Sequence, residues 1–353
     1  MAVEALTRPG ETMCALYMAD PHSYSLVERP VPAFADDECL VRVSLASVCH
    51  TDVIIRQGIA GHVRYPFVPG HEFAGVIAAC GANVRWLHPG DRVAVHTVMA
   101  CGQCAHCRRG DTNGCEHHEE MGSSRDGGFA EYCAAPARHL FALPDHVTMA
   151  EGAMVEPLAN AVSAVRRCGI RTGEQVVIIG PGPIGLLALQ VARLQLPATL
   201  ILVGTRPQRL ALGRPLGATH VIDARQADTR QQLMQILGKG GTDVVIECAG
   251  TRSALELAME IVGWRGRIGL EGVHDGDEQV PITPYQLLSR SASLLGVNGW
   301  TTLDFAEALD LIARGLVDPK PLVTHTFPLE QWEAAFEMIT DHKDEAIKVQ
   351  LAP

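Results

Sequence analysis

The feature that most constrains the fold is a glycine-rich turn between a short apolar run and a helical apolar pattern. The run 176–179 is followed directly by Gly180-Pro181-Gly182-Pro183-Ile184-Gly185. Apolar residues then recur at helical spacing on one face: Ile184, Leu187, Ala188 and Val191. Further short apolar runs follow at 200–203, 244–246, 267–270 and 294–297, with helical patterns between them. Such runs between helices are typical of a parallel sheet covered on both faces. The sequence therefore predicts a doubly wound α/β region.

The glycine turn itself predicts a dinucleotide-binding site. Gly180 and Gly182 allow a tight turn and a close approach of the backbone to a pyrophosphate, and Gly185 lets the helix pack closely on the strand. Pro183 and Ile184 open the helix, whose N-terminus offers free N–H donors to phosphate oxygens. The spacing alone is a weak signal, and the alternative is an ordinary strand–turn–helix. Its position directly after a strand favours the nucleotide site.

The residues after the second strand of this region favour NADP(H) over NAD(H). An acidic residue normally ends that strand and holds the ribose hydroxyls of NAD(H). This chain has Gly204-Thr205-Arg206 there, with Arg209 one turn later. Without a carboxylate nothing repels a 2′-phosphate, which a hydroxyl and a guanidinium can bind. The alternative is that Arg206 only covers the adenine face of NAD(H).

The N-terminal part has a different pattern. From residue 36 to about 95, apolar and polar residues alternate over short stretches between Gly and Pro turns, which predicts a small barrel or sandwich. At the other end of the chain, helices are predicted at 305–313 and 329–339, with a strand from Pro321 to Val323 between them.

Four cysteines with regular spacing predict a metal site in a segment that has no apolar periodicity. Cys101, Cys104, Cys107 and Cys115 follow the pattern C-x2-C-x2-C-x7-C. Four thiolates around Zn²⁺ form a closed tetrahedral site with no open position, so its role should be structural. The alternatives are exposed free thiols or an iron–sulfur cluster, but zinc would supply the order that apolar burial cannot.

A second set of potential ligands is dispersed along the chain. It comprises Cys49 in Cys49-His50-Thr51-Asp52, His71 and Glu72 after Gly70, and Glu156 before Pro157. Each residue alone is a weak candidate. Together they offer a thiolate, an imidazole and a carboxylate, which is the ligand type of a catalytic zinc with an open fourth position.

These motifs resemble the zinc-dependent medium-chain alcohol dehydrogenases, in motif style nearest the sorbitol (polyol) and threonine dehydrogenase branch. The resemblance covers essentially the whole chain, including Gly127-Gly128-Phe129-Ala130-Glu131-Tyr132 and Pro321-Leu322-Val323-Thr324-His325. It implies a GroES-like β-barrel-type catalytic domain, residues 1–157 and 298–353, that carries the structural zinc lobe at 101–115. Residues 158–297 would form a Rossmann dinucleotide-binding domain.

The resemblance also implies roles at the catalytic zinc. In that family the equivalents of Cys49 and His71 bind the metal, and Glu72 lies beside it as an occasional ligand. Glu156 would take the third ligand position, directly or through water, and Asp52 would support the histidine. Cys168 lies about 17 Å further along a predicted helix, so we interpret it as a packing residue.

The implied reaction is reversible hydride transfer between an alcohol and the nicotinamide, with zinc lowering the pKa of the substrate hydroxyl. Thr51 matches the family's hydroxyl that passes the alcohol proton towards solvent, and His50 would extend this relay or contact the cofactor pyrophosphate. The expected cofactors are two zinc ions per chain and NADP(H), with NAD(H) as the second choice.

Two departures from the family pattern bear on the relay and the substrate. Relatives commonly have a histidine where this chain has Ile54, so the proton needs another route. Sorbitol dehydrogenases carry an Arg-aromatic pair where this chain reads Asn298-Gly299-Trp300. This weakens the assignment of a linear polyol and leaves a more apolar or cyclic secondary alcohol open, with Phe129 and Trp300 as candidate pocket walls. The expected substrate is a secondary alcohol that is a polyol, cyclic or sugar-like.

Composition limits the partners. The net charge of −11 argues against nucleic acid and anionic membranes, and the apolar stretch 176–192 is interrupted by Gly and Pro, so it cannot be one transmembrane helix. The first eight residues do not resemble a signal peptide, and the cysteine pattern fits a reducing compartment. We therefore expect a cytoplasmic protein acting on a small molecule, which the resemblance indicates is an alcohol or ketone. A second copy of the chain is the expected protein partner, in a homodimer or homotetramer.

Three other functions stay open from the sequence alone. They are an NAD-dependent polyol or amino-alcohol dehydrogenase, a zinc-free quinone reductase of the same fold, and a nucleotide-binding protein without catalysis. The retained metal ligands disfavour the last two.

Overall fold

A computed structural model describes residues 11–59, 63–226, 228–274 and 279–353; the first eight residues, on which the signal-peptide prediction rests, lie outside these ranges. The strands are β1 Thr12–Met18, β2 Tyr24–Pro30, β3 Glu38–Val48, β4 Glu72–Cys80, β5 Arg92–Val95, β6 Val98–Met99, β7 Glu119–Glu120, β8 Tyr132–Pro136, β9 Leu140–Ala142, β10 Gln175–Ile179, β11 Thr199–Gly204, β12 His220–Asp223, β13 Thr242–Glu247, β14 Val262–Leu270, β15 Ser293–Gly296, β16 Val323–Pro328 and β17 Lys348–Ala352.

The α-helices are α1 His50–Arg56, α2 Ala105–Arg108, α3 Met149–Gly152, α4 Val155–Cys168, α5 Pro183–Arg193, α6 Pro207–Ala211, α7 Thr229–Leu237, α8 Arg252–Ile261, α9 Pro284–Arg290, α10 Thr302–Ala313 and α11 Trp332–Thr340. Within the described ranges, none of the helices has the length and apolarity needed to cross a membrane.

Two compact units divide the chain. The first comprises Met1–Glu156, Thr301–Arg314 and Val323–Pro353, and the second comprises Pro157–Trp300 and Gly315–Leu322. Compared with the predicted domains, this division moves Pro157 and residues 298–300 and 315–322 from the catalytic domain to the second unit.

The first unit is built on a largely antiparallel sheet in the order β16-β17-β3-β4-β5-β9, with β8 also paired to β3. Strand β3 is central because it pairs with β4, β8 and β17. The side chains of Val41 and Val43 are buried and Arg42 between them is exposed, which is the predicted alternation and turns one face of the strand towards an apolar core. The alternation does not extend to Leu40, which is buried like Cys39 beside it, and the pairing with β4 shifts register between Leu40 and Val41.

The second unit contains a parallel sheet, whose strand order among the described residues is β12-β11-β10-β13-β14-β15. Val177, Ile201, Val245 and Ile268 are fully buried at its centre. The order reverses between β10 and β13, and ligands of doubly wound sheets bind outside the carboxyl ends of the strands at such a switch point. The predicted doubly wound region is confirmed, and the glycine turn follows β10 at this position.

Two details of the predicted strands were wrong. Strand β12 was not predicted, because it is short, lies at the sheet edge and is only partly buried, which leaves a weak apolar pattern. The strand predicted from Pro321 to Val323 is instead a 3-10 turn over Lys320–Leu322, and β16 begins at Val323. A proline lacks the N–H that a sheet ladder needs, which favours a turn at this position.

Candidate functional site

The four cysteines of the 101–115 segment converge in the first unit. Their sulfur atoms all lie within 4.8 Å of one another, and the Sγ atom of Cys107 is 3.9 Å from that of Cys101 and 3.5 Å from that of Cys104. Ligand sulfurs around a tetrahedral zinc are about 3.8 Å apart, given a Zn–S distance of ~2.3 Å. All eleven cysteines lie in the described ranges and none forms a disulfide. The donor set and its spacing fit a zinc ion.

Backbone N–H groups point at these sulfur atoms. Gln103 and Cys104 donate to the sulfur of Cys101 at 3.4 Å, and His117 donates to that of Cys115 at 3.4 Å. Such bonds stabilise thiolates, and backbone N–H donors lower the pKa of Cys104 to about 6. Backbone N–H donors also lower the pKa of Cys101, whereas burial and the neighbouring thiols raise the pKa of Cys107 to about 12. The metal-binding thiolate form is therefore favoured at Cys101 and Cys104.

A second cluster forms where β3 ends and β4 begins. These strands are antiparallel neighbours, with Ser47 opposite Glu72, so Cys49 after β3 and His71 before β4 lie close together. The ligand atoms of Cys49, His71 and Glu72 lie within 4.8 Å of one another. His71 and Glu72 are buried and Cys49 is partly buried. The sheet register thus brings together three of the four predicted catalytic-zinc ligands.

Asp52 holds the histidine of this cluster. Its Oδ2 accepts a hydrogen bond from the N–H of Cys49 at 2.8 Å, and its Oδ1 lies 3.6 Å from Nδ1 of His71. Burial alone would lower the pKa of His71, but the Asp52 carboxylate outweighs burial and raises it. Because Nδ1 faces Asp52, Nε2 is the ring nitrogen left for a metal.

Glu72 has a partner that the sequence analysis missed. The Nζ atom of Lys348 lies 2.6 Å from Oε1 and 2.5 Å from Oε2 of Glu72, and both side chains are almost fully buried. Burial would lower the pKa of Lys348, but the Glu72 carboxylate raises it, so the lysine is charged. The available signal was a lone lysine opening the apolar segment 348–352 at the C-terminus.

Glu156 is buried in the first turn of α4, beside the cluster but outside the tightest group of three. Burial, reinforced by the negative charge of Glu72, raises its pKa well above the ordinary value. The thiol of Cys49, the imidazole of His71 and the carboxyl groups of Glu72 and Glu156 are donor types that zinc binds. A divalent cation beside Glu156 would favour the ionised form of its carboxyl group, so this donor set fits a zinc ion.

The two predicted relay residues lie on α1, next to Cys49. The sulfur of Cys49 is 3.5 Å from the hydroxyl oxygen of Thr51, which is partly buried. His50 is exposed and Ile54 is partly buried on the same helix. A hydroxyl beside the candidate ligand Cys49 and an exposed imidazole are thus carried by adjacent residues of α1.

The glycine turn requires glycine at two of its positions. Gly180 has φ +104°, and a Cβ atom there would lie 2.7 Å from the backbone nitrogen of Ala249. A Cβ atom at Gly185 would lie 1.9 Å from the carbonyl oxygen of Gly180. A Cβ atom at Gly182 would meet no other atom within 4 Å, and Pro183 is the first residue of α5. The turn therefore leaves its middle free for a ligand at the N-terminus of the helix.

The residues predicted to select the nucleotide follow β11. Gly204 is buried at the end of the strand, and Thr205 is exposed. Arg206 precedes α6 as its N-terminal cap, and Arg209 lies in the last turn of α6. Each of the four therefore lies at the carboxyl edge of the sheet.

The predicted pocket residues are placed differently. Phe129 is fully buried in the core of the first unit, where its ring meets Phe336 edge-on with centroids 6.3 Å apart. Its side chain has no surface that a substrate could reach, so we assign it to packing. Trp300 is 5% exposed in the second unit. Cys168 is buried at the end of α4, where its sulfur lies against Gly269, in keeping with a packing residue.

Comparisons with known proteins agree with this arrangement. The family model described as Alcohol dehydrogenase GroES-like domain matches residues 35–145, and the one described as Zinc-binding dehydrogenase matches residues 183–314. The sorbitol dehydrogenase of Bacillus subtilis (strain 168) is 31% identical over 97% of this chain and 98% of its own length. The chain belongs to the zinc-type medium-chain alcohol dehydrogenases.

Solved structures of similar proteins carry either nicotinamide cofactor. A zinc-binding dehydrogenase from Sinorhizobium meliloti 1021 bound to NADP has a TM-score of 0.89 and 31% identity, covering 97% of this chain and 100% of its own. An alcohol dehydrogenase from Escherichia coli CFT073 complexed with NADH has a TM-score of 0.90 and 28% identity, covering 98% and 100%. Within its family, this dehydrogenase is near the sorbitol and threonine dehydrogenases, and it has a GroES-like unit and a Rossmann unit.

Proposed function

We propose that this zinc-type alcohol dehydrogenase prefers NADP(H) and interconverts a secondary alcohol and its ketone. The observation that carries the cofactor preference is the end of β11, where Gly204, Thr205 and Arg206 replace the acidic residue that binds the ribose of NAD(H). The NADP-bound Sinorhizobium structure supports the proposal. The NADH-bound Escherichia structure favours the second candidate, an NAD-dependent polyol or amino-alcohol dehydrogenase.

Two zinc ions per chain are proposed. Cys101, Cys104, Cys107 and Cys115 would hold the structural ion. Cys49, His71 and Glu156 would hold the catalytic ion, while Glu72 stays beside it with Lys348. Support for this choice comes from the short contact between Lys348 and Glu72, which already neutralises that carboxylate, and from the buried Glu156 carboxyl. When bound, the catalytic zinc would act as a Lewis acid that lowers the pKa of the substrate hydroxyl.

The residues around this ion would orient ligands and move one proton. The Oδ1 atom of Asp52 faces Nδ1 of His71 at 3.6 Å, and its negative charge favours a proton on Nδ1, which leaves Nε2 to the metal. Thr51 accepts the alcohol proton on its hydroxyl and donates its own proton onward. His50, which is exposed, passes that proton to solvent, because Ile54 cannot. When bound, the oxidised nicotinamide would supply the hydride acceptor for the carbinol carbon.

A second copy of this chain is the proposed protein partner. Strand β15 lies at the edge of the six-stranded arrangement of the described residues, and edge strands offer unpaired backbone groups. Tyr285 and Leu288 on the nearby α9 are 71% and 74% exposed. Pairing of β15 with its copy would make a homodimer, from which a homotetramer could be built. A cytoplasmic location stays a prediction, supported by the eleven unpaired cysteines.

Steady-state kinetics of the purified enzyme with NADPH and NADH, over a panel of linear and cyclic ketones, test the proposal. We expect a higher kcat/KM with NADPH. The variant Arg206→Ala should lose about 10- to 150-fold in kcat/KM for NADPH with little change for NADH, which corresponds to about 1.5–3 kcal/mol for a charge-assisted hydrogen bond. If the wild type uses NADH as well as NADPH, the NADP preference is wrong and the NAD-dependent candidate stands.

A further inference from the structure

The glycine turn and the end of β11 are neighbours in the second unit. Strands β10 and β11 are parallel and paired, with Ile179 opposite Val203. The next residues of the two strands lead to Pro181 on one side and Gly204 on the other, and both are buried. A Cβ atom added at Gly204 would lie 2.2 Å from Cδ and 2.4 Å from Cγ of Pro181. Non-bonded carbon atoms prefer ~3.5–4.0 Å, so a side chain at position 204 has no room.

Neither residue can move away easily. The ring of Pro181 is closed onto its own backbone nitrogen, so it has no rotamer that would clear the space. Its neighbour Gly180 donates to the carbonyl of Val203 at 2.8 Å, and the carbonyl of Gly204 accepts from Ala224 at 2.7 Å. Gly180 also packs against the backbone of Ala249. The overlap could be relieved only by displacing the nucleotide-binding turn or the end of the strand.

We propose that Pro181 determines cofactor specificity by steric exclusion at position 204. Its ring leaves no room for a side chain at position 204, the last residue of β11. The excluded side chains include the acidic ones whose carboxylate would bind the 2′- and 3′-hydroxyls of NAD(H). The absence of an acidic residue is therefore linked to the proline inside the glycine turn, and position 204 cannot change alone. This inference rests on the proposed NADP(H) preference for its functional meaning, but the steric part is measurable without any cofactor.

Thermal unfolding of the cofactor-free protein tests the steric part. Gly204→Ala, Pro181→Ala and the double variant form a cycle that isolates the coupling between the two positions. Overpacking a buried site should lower the Tm of Gly204→Ala by about 5 °C. The double variant should lie within about 2 °C of Pro181→Ala, because the ring that the new Cβ atom meets is gone.

Kinetics with both cofactors test the functional part. Gly204→Asp alone should lose activity with NADPH and gain none with NADH, because the displaced turn binds either cofactor poorly. Pro181→Ala/Gly204→Asp should improve the NADH-to-NADPH ratio of kcat/KM at least tenfold over Gly204→Asp. The exposed position 205 provides a control for charge without overlap: Thr205→Asp should weaken NADPH use and leave the Tm unchanged.

The outcomes separate the two proposals. A wild-type Tm for Gly204→Ala, a Gly204→Ala change that lowers the Tm as much in the Pro181→Ala background as in the wild type, or a switch to NADH by Gly204→Asp alone would overturn the exclusion by Pro181. A wild type that uses both cofactors equally would overturn the NADP preference and leave the thermal cycle to judge the exclusion. If the single variants at 204 do not fold, recovery of folded protein in the double variants supports the exclusion, and its absence refutes it.

Discussion

Replacing Lys348 with methionine should destabilise the protein strongly. The change keeps the length of the side chain but removes the ammonium group that lies 2.5–2.6 Å from the Glu72 carboxylate. The two side chains are 5% and 2% exposed, so the remaining carboxylate would stay buried without its cation. Removing one partner of a buried ion pair costs about 3–5 kcal/mol, far more than the loss of a surface pair. The same loss is therefore expected in the free energy of unfolding of Lys348→Met.

Urea unfolding of the metal-free enzyme measures this loss without a competing cation. The double variant Glu72→Gln/Lys348→Met should recover most of it, because the uncompensated charge is then absent. Lys343→Met changes an exposed lysine of the same unit and should stay within about 0.5 kcal/mol of the wild type. A loss below about 1 kcal/mol in Lys348→Met, or a double variant as unstable as the single one, would refute the argument from the buried charge.

Three further predictions concern the metals and acid stability. Cys104→Ser should lower the zinc content from about two ions to about one per chain and reduce the Tm before it reduces turnover; two ions retained, by elemental analysis, would contradict the structural site. Glu156→Gln should reduce zinc occupancy or turnover with NADP(H) binding nearly intact, and Cys168→Ala should be mild; the reverse pattern would show that the third ligand is misassigned. Burial lowers the pKa of His96 to about 4 and of His139 to about 3. Below pH ~6.5 the folded state then binds fewer protons than the unfolded state. The contribution of the two neutral histidines to the free energy of unfolding is therefore fully present above that pH and is lost as the pH falls towards 4 and below. Between pH 7 and 5 the wild type should lose about 3 kcal/mol more in urea unfolding than His96→Gln/His139→Gln, and equal losses would contradict this.

Local motifs made much of the fold predictable. The glycine turn can be predicted from the sequence because the residues that its conformation requires are close together in the chain. One of them is Gly180, which has φ +104°. The four-cysteine segment is equally local, since its ligands lie within fifteen residues of one another in the chain. Strand β12 was not predicted because a short edge strand has little apolar periodicity in its sequence. A sequence pattern does not distinguish a pocket wall from a core residue, and the burial of the Phe129 side chain is visible only in the structure.

What the sequence by itself determined is the order of elements and the donor types at each metal site. Only the tertiary structure showed that, of the two candidate carboxylate ligands Glu72 and Glu156, Glu72 is the one paired with the ammonium group of Lys348. Lys348 and Glu72 are 276 positions apart in the chain, and they meet because β3 lies between β17 and β4, with Ser47 opposite both Gln350 and Glu72. The exclusion of side chains at Gly204 by Pro181 likewise arises from the pairing of two strands. Contacts of this kind depend on sheet register, which residues far apart in the sequence establish together when the core is packed.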